Sequence, residues 1–324
     1  MLLVTGGAGY IGSHVALELM RRGREVVVFD DLSRGHRDLV GKALFEEGDL
    51  KDLSRVRAVF GKYPIDGVLH FAARSLVGES MAEPLDYYRN NVAGTIDLLT
   101  AMKEHGVGRI VFSSTAAVYG EPERVPIDED APKRPTNVYG DTKWFIEKML
   151  QNLNRAYGLK SVSLRYFNAA GADPSGLTGE DHTPETHLVP VALDVAMGRR
   201  EKLQVYGTDY PTPDGTCVRD YVHATDLAQA HVLALERLEA GQAECEAFNL
   251  GNGKGFSVLE VVESVRRITG HSLPTEFSGR RAGDPAILVA SSRLAESQLG
   301  WRQEFADIDV IVETAWKWQR GRGK

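Results

Sequence analysis

Short apolar runs alternate with longer segments of helical periodicity over the first half of the chain. β-Branched and apolar residues form five runs that predict strands, at residues 2–5, 25–29, 67–71, 109–113 and 161–165. Apolar residues recur at helical spacing between them, which predicts helices over 9–22, 85–104 and 141–157. Alternating strands and helices predict an α/β fold with a doubly wound parallel sheet of Rossmann type.

The pattern changes after Asn168 to loops rich in Gly and Pro, with separate helices predicted at 188–198 and 225–240. Ser257 and Glu260 form a capping box for a helix ending near Thr269, and residues 307–319 predict a terminal helix. We therefore expect a first domain over 1–168 and a smaller lobe over 169–324. The two are expected to interleave, because strand-like residues 247–250 could return to the main sheet.

Composition narrows the functional classes. The 324 residues leave room for about two domains of ~150 residues, and 43% hydrophobic with 26% charged residues is typical of globular proteins. The net charge is -7 and the basic residues are scattered, so no nucleic-acid partner is expected. Cys217 and Cys245 have neither disulfide nor metal-ligand spacing, and no metal is expected. No signal or membrane-spanning run is present, which predicts a cytoplasmic protein without a membrane partner.

A glycine-rich turn joins the first predicted strand to the first helix. Gly6, Gly9 and Gly12 recur every third residue, with Tyr10 and Ile11 between the last two. Such a turn lets the backbone approach a dinucleotide pyrophosphate, and the helix N-terminus favours its negative charge. Taken alone, the match is also compatible with a purely structural turn.

Acidic residues follow the strand predicted at 25–29 and end a further strand at 48–50. Asp30 lies about 20 residues beyond the glycines, where a carboxylate binds the ribose 2'-hydroxyl of NAD. It would repel a 2'-phosphate, and no Arg follows immediately, so NAD is expected rather than NADP. Asp31 could share this role, and Asp30 could instead be a turn residue. Asp49, followed by Leu50, could accept from the adenine amino group or cap a helix.

A tyrosine and a lysine are spaced for joint chemistry. Tyr139 and Lys143 are four residues apart, so a helix presents them on one face. A phenol with a pKa of ~10 is a poor base, but a nearby ammonium and a nicotinamide cation stabilise its phenolate. Thr115 lies at the end of the strand that begins at Arg109 and is the preferred hydroxyl partner, although Ser113 or Ser114 could compete. The alternatives are a solvated helix face and a strand-end cap.

Taken together, the glycine turn, the hydroxyl strand and the Tyr/Lys helix resemble the extended short-chain dehydrogenase/reductases. Within that superfamily the chain is most similar to the UDP-glucose 4-epimerase family along nearly its whole length. The more specific segments are LRYFN at 164–168, YGTDYPTPDGTCVRDY at 206–221 and RRAGD at 280–284.

The resemblance implies roles for further residues. Near NAD it places Phe71, Ala72, Ala73, Asn90 and Tyr166. Around a UDP-sugar it places Asn168, Arg219 and Arg281 on the diphosphate, His187, Leu188 and Tyr206 around the uracil, Asp284 in the third segment, and Leu288 beside the sugar C2 substituent. Leucine is intermediate between the Tyr and Cys found there in relatives, which suggests that UDP-N-acetylglucosamine is also accepted. Leu288 could equally be a core residue.

The resemblance also implies the reaction. Tyr139 would remove the C4 hydroxyl proton while NAD takes the hydride, and the 4-keto sugar would turn before hydride returns to its other face. Ala116 and Ala117 stand where dehydrating relatives carry acidic residues. The chain departs from some members by Thr115 in place of Ser and by Ser75 in place of Lys.

The residues leave one other class of enzyme open and also indicate how the chain assembles. Another NAD-dependent enzyme acting on sugar nucleotides, such as a reductase, dehydratase or decarboxylase, is the alternative. A non-catalytic NAD-sensing protein would not need the Tyr/Lys/Thr set. Helices 85–104 and 141–157 carry apolar residues beyond one face, and the family pairs through such helices, so a homodimer is expected.

Overall fold

The computed structural model describes residues 1–281 and 284–322. Within these ranges the strands are β1 Leu2–Thr5, β2 Val26–Asp30, β3 Leu44–Glu47, β4 Gly67–His70, β5 Arg109–Thr115, β6 Lys160–Tyr166, β7 Asn168–Ala170, β8 Leu203–Tyr206, β9 Val218–Arg219, β10 Tyr221–His223, β11 Cys245–Leu250, β12 Phe256–Ser257, β13 Thr275–Ser278 and β14 Ile287–Leu288.

The α-helices over the same ranges are α1 Tyr10–Arg21, α2 Leu53–Lys62, α3 Val77–Ala82, α4 Pro84–Tyr87, α5 Gly94–Glu104, α6 Val138–Tyr157, α7 Leu188–Ala196, α8 Ala224–Glu239, α9 Val258–Thr269 and α10 Ile308–Gly321. Short 3₁₀ turns occupy Arg37–Val40 and Ala116–Tyr119, and π-helical turns occupy Tyr88–Ala93 and Ala295–Leu299. None of these described helices is both long and apolar enough to cross a bilayer.

A parallel sheet forms the centre of the described chain. Its seven strands lie in the order β11-β6-β5-β4-β1-β2-β3, and every neighbouring pair is parallel. The predicted doubly wound fold is therefore confirmed. The return of residues 247–250 to this sheet is also confirmed, because β11 pairs with β6 along its whole length. The division of the chain at residue 168 stays a prediction.

Both faces of the sheet are buried, which explains its nearly continuous apolar strands. Leu2 and Val4 of β1 join a core with helices α1 and α8, whereas Leu3 between them joins a second core with α2, α5 and α6. Successive strand side chains point to opposite faces, so one strand supplies both cores. The carboxyl edge of the sheet is left free for a site.

A smaller assembly is formed mostly by the later residues. Helices α7, α9 and α10 pack around a third apolar core beside the paired strands β8 and β13. The predicted capping box is confirmed: the Ser257 hydroxyl accepts from the Glu260 amide at 3.0 Å, and the Glu260 carboxylate accepts from the Ser257 amide at 2.7 Å.

The helix predicted over 85–104 is confirmed, and it contains a π-helical turn between α4 and α5. Buried Asn91 lies in that turn. Its side chain accepts from the Arg74 amide at 2.8 Å and donates to the Arg74 carbonyl at 3.0 Å and to the Thr142 hydroxyl at 3.1 Å. These contacts with distant residues favour the wider turn, which apolar periodicity along the segment does not encode.

A buried ion pair joins α6 to the sheet. The Arg165 guanidinium on β6 lies 2.6 Å from the Glu147 carboxylate on α6, and both side chains are at most 4% exposed. Glu147 also accepts from the Ser114 hydroxyl on β5 at 2.5 Å. Arg165 in turn donates to the Tyr119 hydroxyl at 2.9 Å. The helix is thereby fixed to two adjacent strands.

We expect Glu147→Gln to lower the free energy of unfolding by about 3–5 kcal/mol, because it leaves the Arg165 charge buried without its counter-ion. Urea denaturation measures the change. The matched control is Glu123→Gln, which breaks the exposed Arg134–Glu123 pair at 3.4 Å and should cost about 0–1 kcal/mol. Equal losses in the two variants would contradict this assignment.

Candidate functional site

A cavity of about 370 Å³ opens at the carboxyl edge of the central sheet. Its walls include Gly6 after β1, Asp30 at the end of β2, Phe71 after β4 and Thr115 at the end of β5. Ligands of open parallel sheets bind at this edge, where loops from adjacent strands meet. The cavity is therefore the candidate site.

The glycine turn forms one end of the cavity. Gly6 has a φ of +71°, and a Cβ there would overlap the Ala72 backbone nitrogen; a Cβ at Gly12 would overlap the Gly6 carbonyl oxygen. Gly9 begins helix α1 without a side-chain cap, and the first turn of that helix carries no acidic residue. Its uncapped amides and positive helix end fit the pyrophosphate of a dinucleotide.

Asp30 lies at the same end of the cavity, and hydrogen bonds from two backbone amides hold its side chain in place. Its carboxylate accepts from the Ala8 amide at 3.0 Å and from the Leu32 amide at 2.9 Å. Burial raises the pKa of this carboxyl, and those two hydrogen bonds oppose the shift. Asp31 lies beside it on the cavity wall and accepts from the Ser33 amide.

Asp49 also lines the cavity, and the alternative that it caps a helix is wrong. The N-cap of α2 is Asp52, whose side chain accepts from the Arg55 amide. Asp49 instead accepts from the Lys51 amide at 2.9 Å, in the loop that follows β3. The carboxylate cap falls three residues later because Leu53 is the first helical residue.

Helix α6 begins earlier than the predicted residue 141. The Asn137 side chain caps it by accepting from the Gly140 amide at 2.8 Å, so Tyr139 lies in the first turn. A Cβ at Gly140 would lie 2.5 Å from the Ala117 carbonyl oxygen. This close approach brings the start of the helix against the turn that follows Thr115.

The three candidate hydroxyls at the end of β5 have different surroundings. Ser114 donates to Glu147 in the buried network and is not among the described residues that line the cavity. Ser113 lines the cavity, but its hydroxyl pairs with that of Tyr166. Thr115 lines the cavity, and its side chain caps the next turn by accepting from the Ala117 amide, while its hydroxyl is near enough to the Tyr139 phenol to lower that group's pKa. The cap and the proposed partner are thus compatible.

Tyr139 and Lys143 face the same space. Burial raises the pKa of the Tyr139 phenol, and its hydrogen bond with Thr115 opposes the rise. The Lys143 ammonium lies 5.9 Å from the centroid of the Tyr139 ring and donates to the Ser113 carbonyl at 2.8 Å. Burial lowers the pKa of Lys143 to about 7, against the opposing charge of Glu147. A small change in local charge therefore shifts the protonation of Lys143 near neutral pH.

All of the residues assigned to the cofactor line this one cavity. They are Gly6, Gly9, Tyr10, Ile11, Gly12, Asp30, Asp31, Asp49, Leu50, Phe71, Ala72, Ala73, Asn90, Tyr139, Lys143 and Tyr166. Ser75, which stands where some relatives have Lys, is also part of the wall.

The residues assigned to the substrate divide into two groups. Asn168 and His187 line the cavity, whereas Leu188, Tyr206, Arg219, Arg281, Asp284 and Leu288 are not among its described lining residues. The second group has its own contacts. Arg219 pairs with Asp284, the Arg281 guanidinium lies 4.0 Å from the centroid of the Tyr206 ring, and Leu288 pairs with Arg219 through β14 and β9. Ala282 and Gly283 of the same motif lie outside the described residues.

Leu288 also contacts a small apolar core. It packs against the buried cluster of Val118, Tyr119 and Ile127. Val118 and Tyr119 belong to the 3₁₀ turn that follows Thr115. The alternative of a core position is therefore compatible with its surroundings.

Two arginines of the cavity wall were missed by the sequence analysis. Arg34 donates to the Thr183 carbonyl at 3.1 Å and to the Glu79 carboxylate at 2.8 Å, and Arg74 lies 3.5 Å from Asp86. Arg34 lies four residues after Asp30 at the end of β2, so its position in the sequence could have indicated a residue of the cavity wall. Its guanidinium is already engaged by Glu79 and Thr183.

A polar cluster in the same wall was also missed. Glu180, His182, Glu185 and His187 bring their carboxylate oxygens and ring nitrogens within 4.8 Å of one another. The signal is present in the sequence as EDHTPETH at 180–187, which carries five potential metal ligands, four of them in this cluster. We expected no metal because only the cysteine spacing was considered.

Comparison with known proteins gives consistent matches. The family described as NAD dependent epimerase/dehydratase matches residues 2–251. A curated UDP-glucose 4-epimerase from Halalkalibacterium halodurans is 54% identical over 319 residues, covering 98% of this chain and 95% of the relative.

Solved structures match over almost the whole chain. The UDP-glucose 4-epimerase from Brucella ovis in complex with NAD has a TM-score of 0.95 at 50% identity, covering 98% of this chain and 97% of its own. The enzyme of the same name from Bifidobacterium longum, in complex with NAD+ and UDP, has a TM-score of 0.94 at 41% identity, covering 99% and 98% respectively.

The low pKa of Lys143 predicts how stability depends on pH. Between pH 7 and 10.5 the unfolded chain carries the Lys143 proton and the folded chain does not, so the free energy of unfolding should rise with pH. Relative to Lys143→Met, the slope should approach ~1.4 kcal/mol per pH unit. Urea denaturation of nucleotide-free protein across this range measures it.

Lys148→Met is the matched control, because Lys148 is an exposed lysine of the same helix. Its pH profile should follow that of the unsubstituted protein. An Lys143→Met profile parallel to the unsubstituted one would contradict the lowered pKa.

Proposed function

The chain belongs to the NAD-dependent epimerase/dehydratase family, and on this premise we propose that it interconverts UDP-galactose and UDP-glucose by inverting carbon 4 of the sugar. The resemblance noted in the sequence is confirmed by relatives 54% identical over nearly the whole chain. One observation carries the proposal: Tyr139, Thr115 and Lys143 line the same cavity as the glycine turn, with the Lys143 ammonium 5.9 Å from the centroid of the Tyr139 ring.

The side chains of the cavity supply the proton chemistry. Tyr139 takes the proton of the C4 hydroxyl, and Thr115 holds the sugar oxygen and the phenol in line. The Lys143 ammonium, fixed on the Ser113 carbonyl, stabilises the phenolate by its positive charge. NAD held by the glycine turn and Asp30 would supply the acceptor for the C4 hydride and its donor on return, so no external reductant would be consumed.

Inversion requires that the 4-keto sugar turn over while its nucleotide stays bound. Arg219 and Arg281, outside the cavity lining, are suited to hold the nucleotide while the sugar turns, because guanidinium groups bind diphosphates bidentately. We assign Arg219, Arg281 and Asn168 to the diphosphate and Tyr206 with the 187–188 segment to the uracil. Relatives bound to UDP support a uridine nucleotide as the substrate.

The rival reactions need groups that the end of β5 does not provide. Ala116 and Ala117 follow Thr115, so the turn offers no second acid or base for elimination of water. With Tyr139 and Thr115 as the proton-handling pair, oxidation at C4 followed by reduction is the simplest complete cycle.

We expect Tyr139→Phe to lower the rate of conversion of UDP-galactose to UDP-glucose by about 10²- to 10⁴-fold, because it removes the base. Thr115→Val should lower it about 10- to 100-fold by removing a hydrogen bond. Thr115→Ser, which keeps the hydroxyl, is the matched control and should stay within a few-fold. The assay contains no added NADH and follows both nucleotides by chromatography.

A wild-type protein that requires NADH, or that releases water or carbon dioxide from the sugar nucleotide, would identify a rival reaction. The same assay with UDP-N-acetylgalactosamine tests the wider substrate range suggested by Leu288. No turnover of the acetylated sugar would remove that extension and leave the main proposal intact.

A homodimer is proposed from one apolar surface. Leu85 and Ile96, at 67% and 45% exposed, lie near the π-helical turn that packs against α6. Phe145 on α6 itself is 44% exposed. Large apolar side chains grouped on adjacent helices favour burial against a second copy.

We expect the unsubstituted protein to sediment with the mass of two chains and the double variant Leu85→Glu/Phe145→Glu with that of one. Leu177→Glu is the matched control, because Leu177 is 61% exposed on a loop beside α1. It should leave the mass unchanged. A single-chain mass for the unsubstituted protein would overturn the proposal.

A further inference from the structure

A compact set of metal-ligating side chains lies outside the proposed proton chemistry. Glu180, His182, Glu185 and His187 occupy eight consecutive positions between β7 and α7. Glu180 is buried and the other three are half-buried. Three of them, Glu180, His182 and His187, form part of the cavity wall.

The distances between their polar atoms are those of a shared centre. The His187 Nδ1 atom lies 2.7 Å from Glu180 and 3.1 Å from Glu185, and the His182 Nδ1 atom lies 3.1 Å from Glu180 and 3.6 Å from Glu185. In a tetrahedral zinc site, metal-ligand bonds of about 2.1 Å separate the ligand atoms by about 3.4 Å. Only small side-chain rotations separate the two arrangements.

We propose that Glu180, His182, Glu185 and His187 bind one Zn²⁺ as a four-ligand structural site. Imidazole nitrogens together with carboxylate oxygens suit zinc, whereas magnesium prefers six oxygen ligands, several of them water. Four protein ligands close the coordination sphere, which is typical of structural rather than catalytic zinc.

Charge also balances in the proposed site. A divalent cation with two neutral histidines and two carboxylates sums to zero, so the four ligands would leave no uncompensated charge on the ion.

Contacts around the cluster hold its backbone in place. The Trp318 indole on α10 donates to the Glu180 carbonyl at 2.9 Å, Arg34 donates to the Thr183 carbonyl at 3.1 Å, and the His36 ring contacts the Asp181 carbonyl at 2.8 Å. Outer contacts of this kind orient metal ligands. A zinc ion here would tie the cavity wall to α10 and to the loop after β2.

The test measures the metal content of untagged full-length protein. After chelation, exposure to excess Zn²⁺ and desalting, we expect one Zn²⁺ per chain by mass spectrometry. The double variant His182→Gln/His187→Gln should bind Zn²⁺ on the order of a hundredfold or more weakly, because even outer-shell changes cost about 10- to 100-fold. His271→Gln, at an exposed histidine elsewhere, is the matched control and should keep the metal.

Cobalt(II) provides a second readout that does not depend on activity. Bound Co²⁺ should give the intense visible absorption of four-coordinate cobalt, retained with excess Mg²⁺ and lost in the double variant. Circular dichroism verifies its fold; if the double variant does not fold, Glu185→Gln replaces it. Equal metal content in variant and unsubstituted protein, a weak six-coordinate spectrum, or displacement by Mg²⁺ would overturn the proposal.

Discussion

The ion pair between Glu147 and Arg165 determines where the reactive side chains lie. Tyr139, Lys143 and Glu147 are spaced four residues apart on α6, so they share one helical face. Glu147 is held by Arg165 on β6 and by Ser114 on β5, next to Thr115. Separating a buried ion pair costs several kcal/mol, about 3–5 when one partner is removed, so this face of the helix has one stable position against the sheet. The positions of the Tyr139 phenol and the Lys143 ammonium, on the same face, are fixed with it.

The sequence predicted the fold where structure depends on local pattern. Strands and helices of the central sheet follow from apolar periodicity, since each strand is buried on both faces. The π-helical turn at Tyr88–Ala93 was not predicted, because it depends on the contact of Asn91 with the distant Arg74. The start of α6 at Val138 was missed although its signal is local, since Asn137 caps the helix through the Gly140 amide. The short strands β8, β9, β13 and β14 were also missed, since runs of two to four residues carry too little periodicity.

In the site, too, some features follow from local sequence pattern and others depend on contacts in the folded chain. Its cofactor side was predictable because the relevant residues follow strand ends, and parallel strands bring those ends to one edge. Arg219 lies on β9, whereas Arg281 and Asp284 lie between β13 and β14. The pairing of Arg219 with Asp284 and of Arg281 with Tyr206 joins distant parts of the sequence, so it could be known only from the folded chain. Ser114 shows a further limit: one residue along a strand turns a hydroxyl from the cavity toward a buried carboxylate.

Strand β11 has a consequence for how the chain is assembled. It comes from the second half of the sequence, yet it completes the sheet beside β6, and its Asn249 accepts from the Tyr119 hydroxyl at 2.6 Å. A fragment ending after residue 168 would expose the backbone of β6 as an open edge and deprive Tyr119 of its acceptor. Residues 1–168 therefore lack these two contacts until the chain has been synthesised to residue 250.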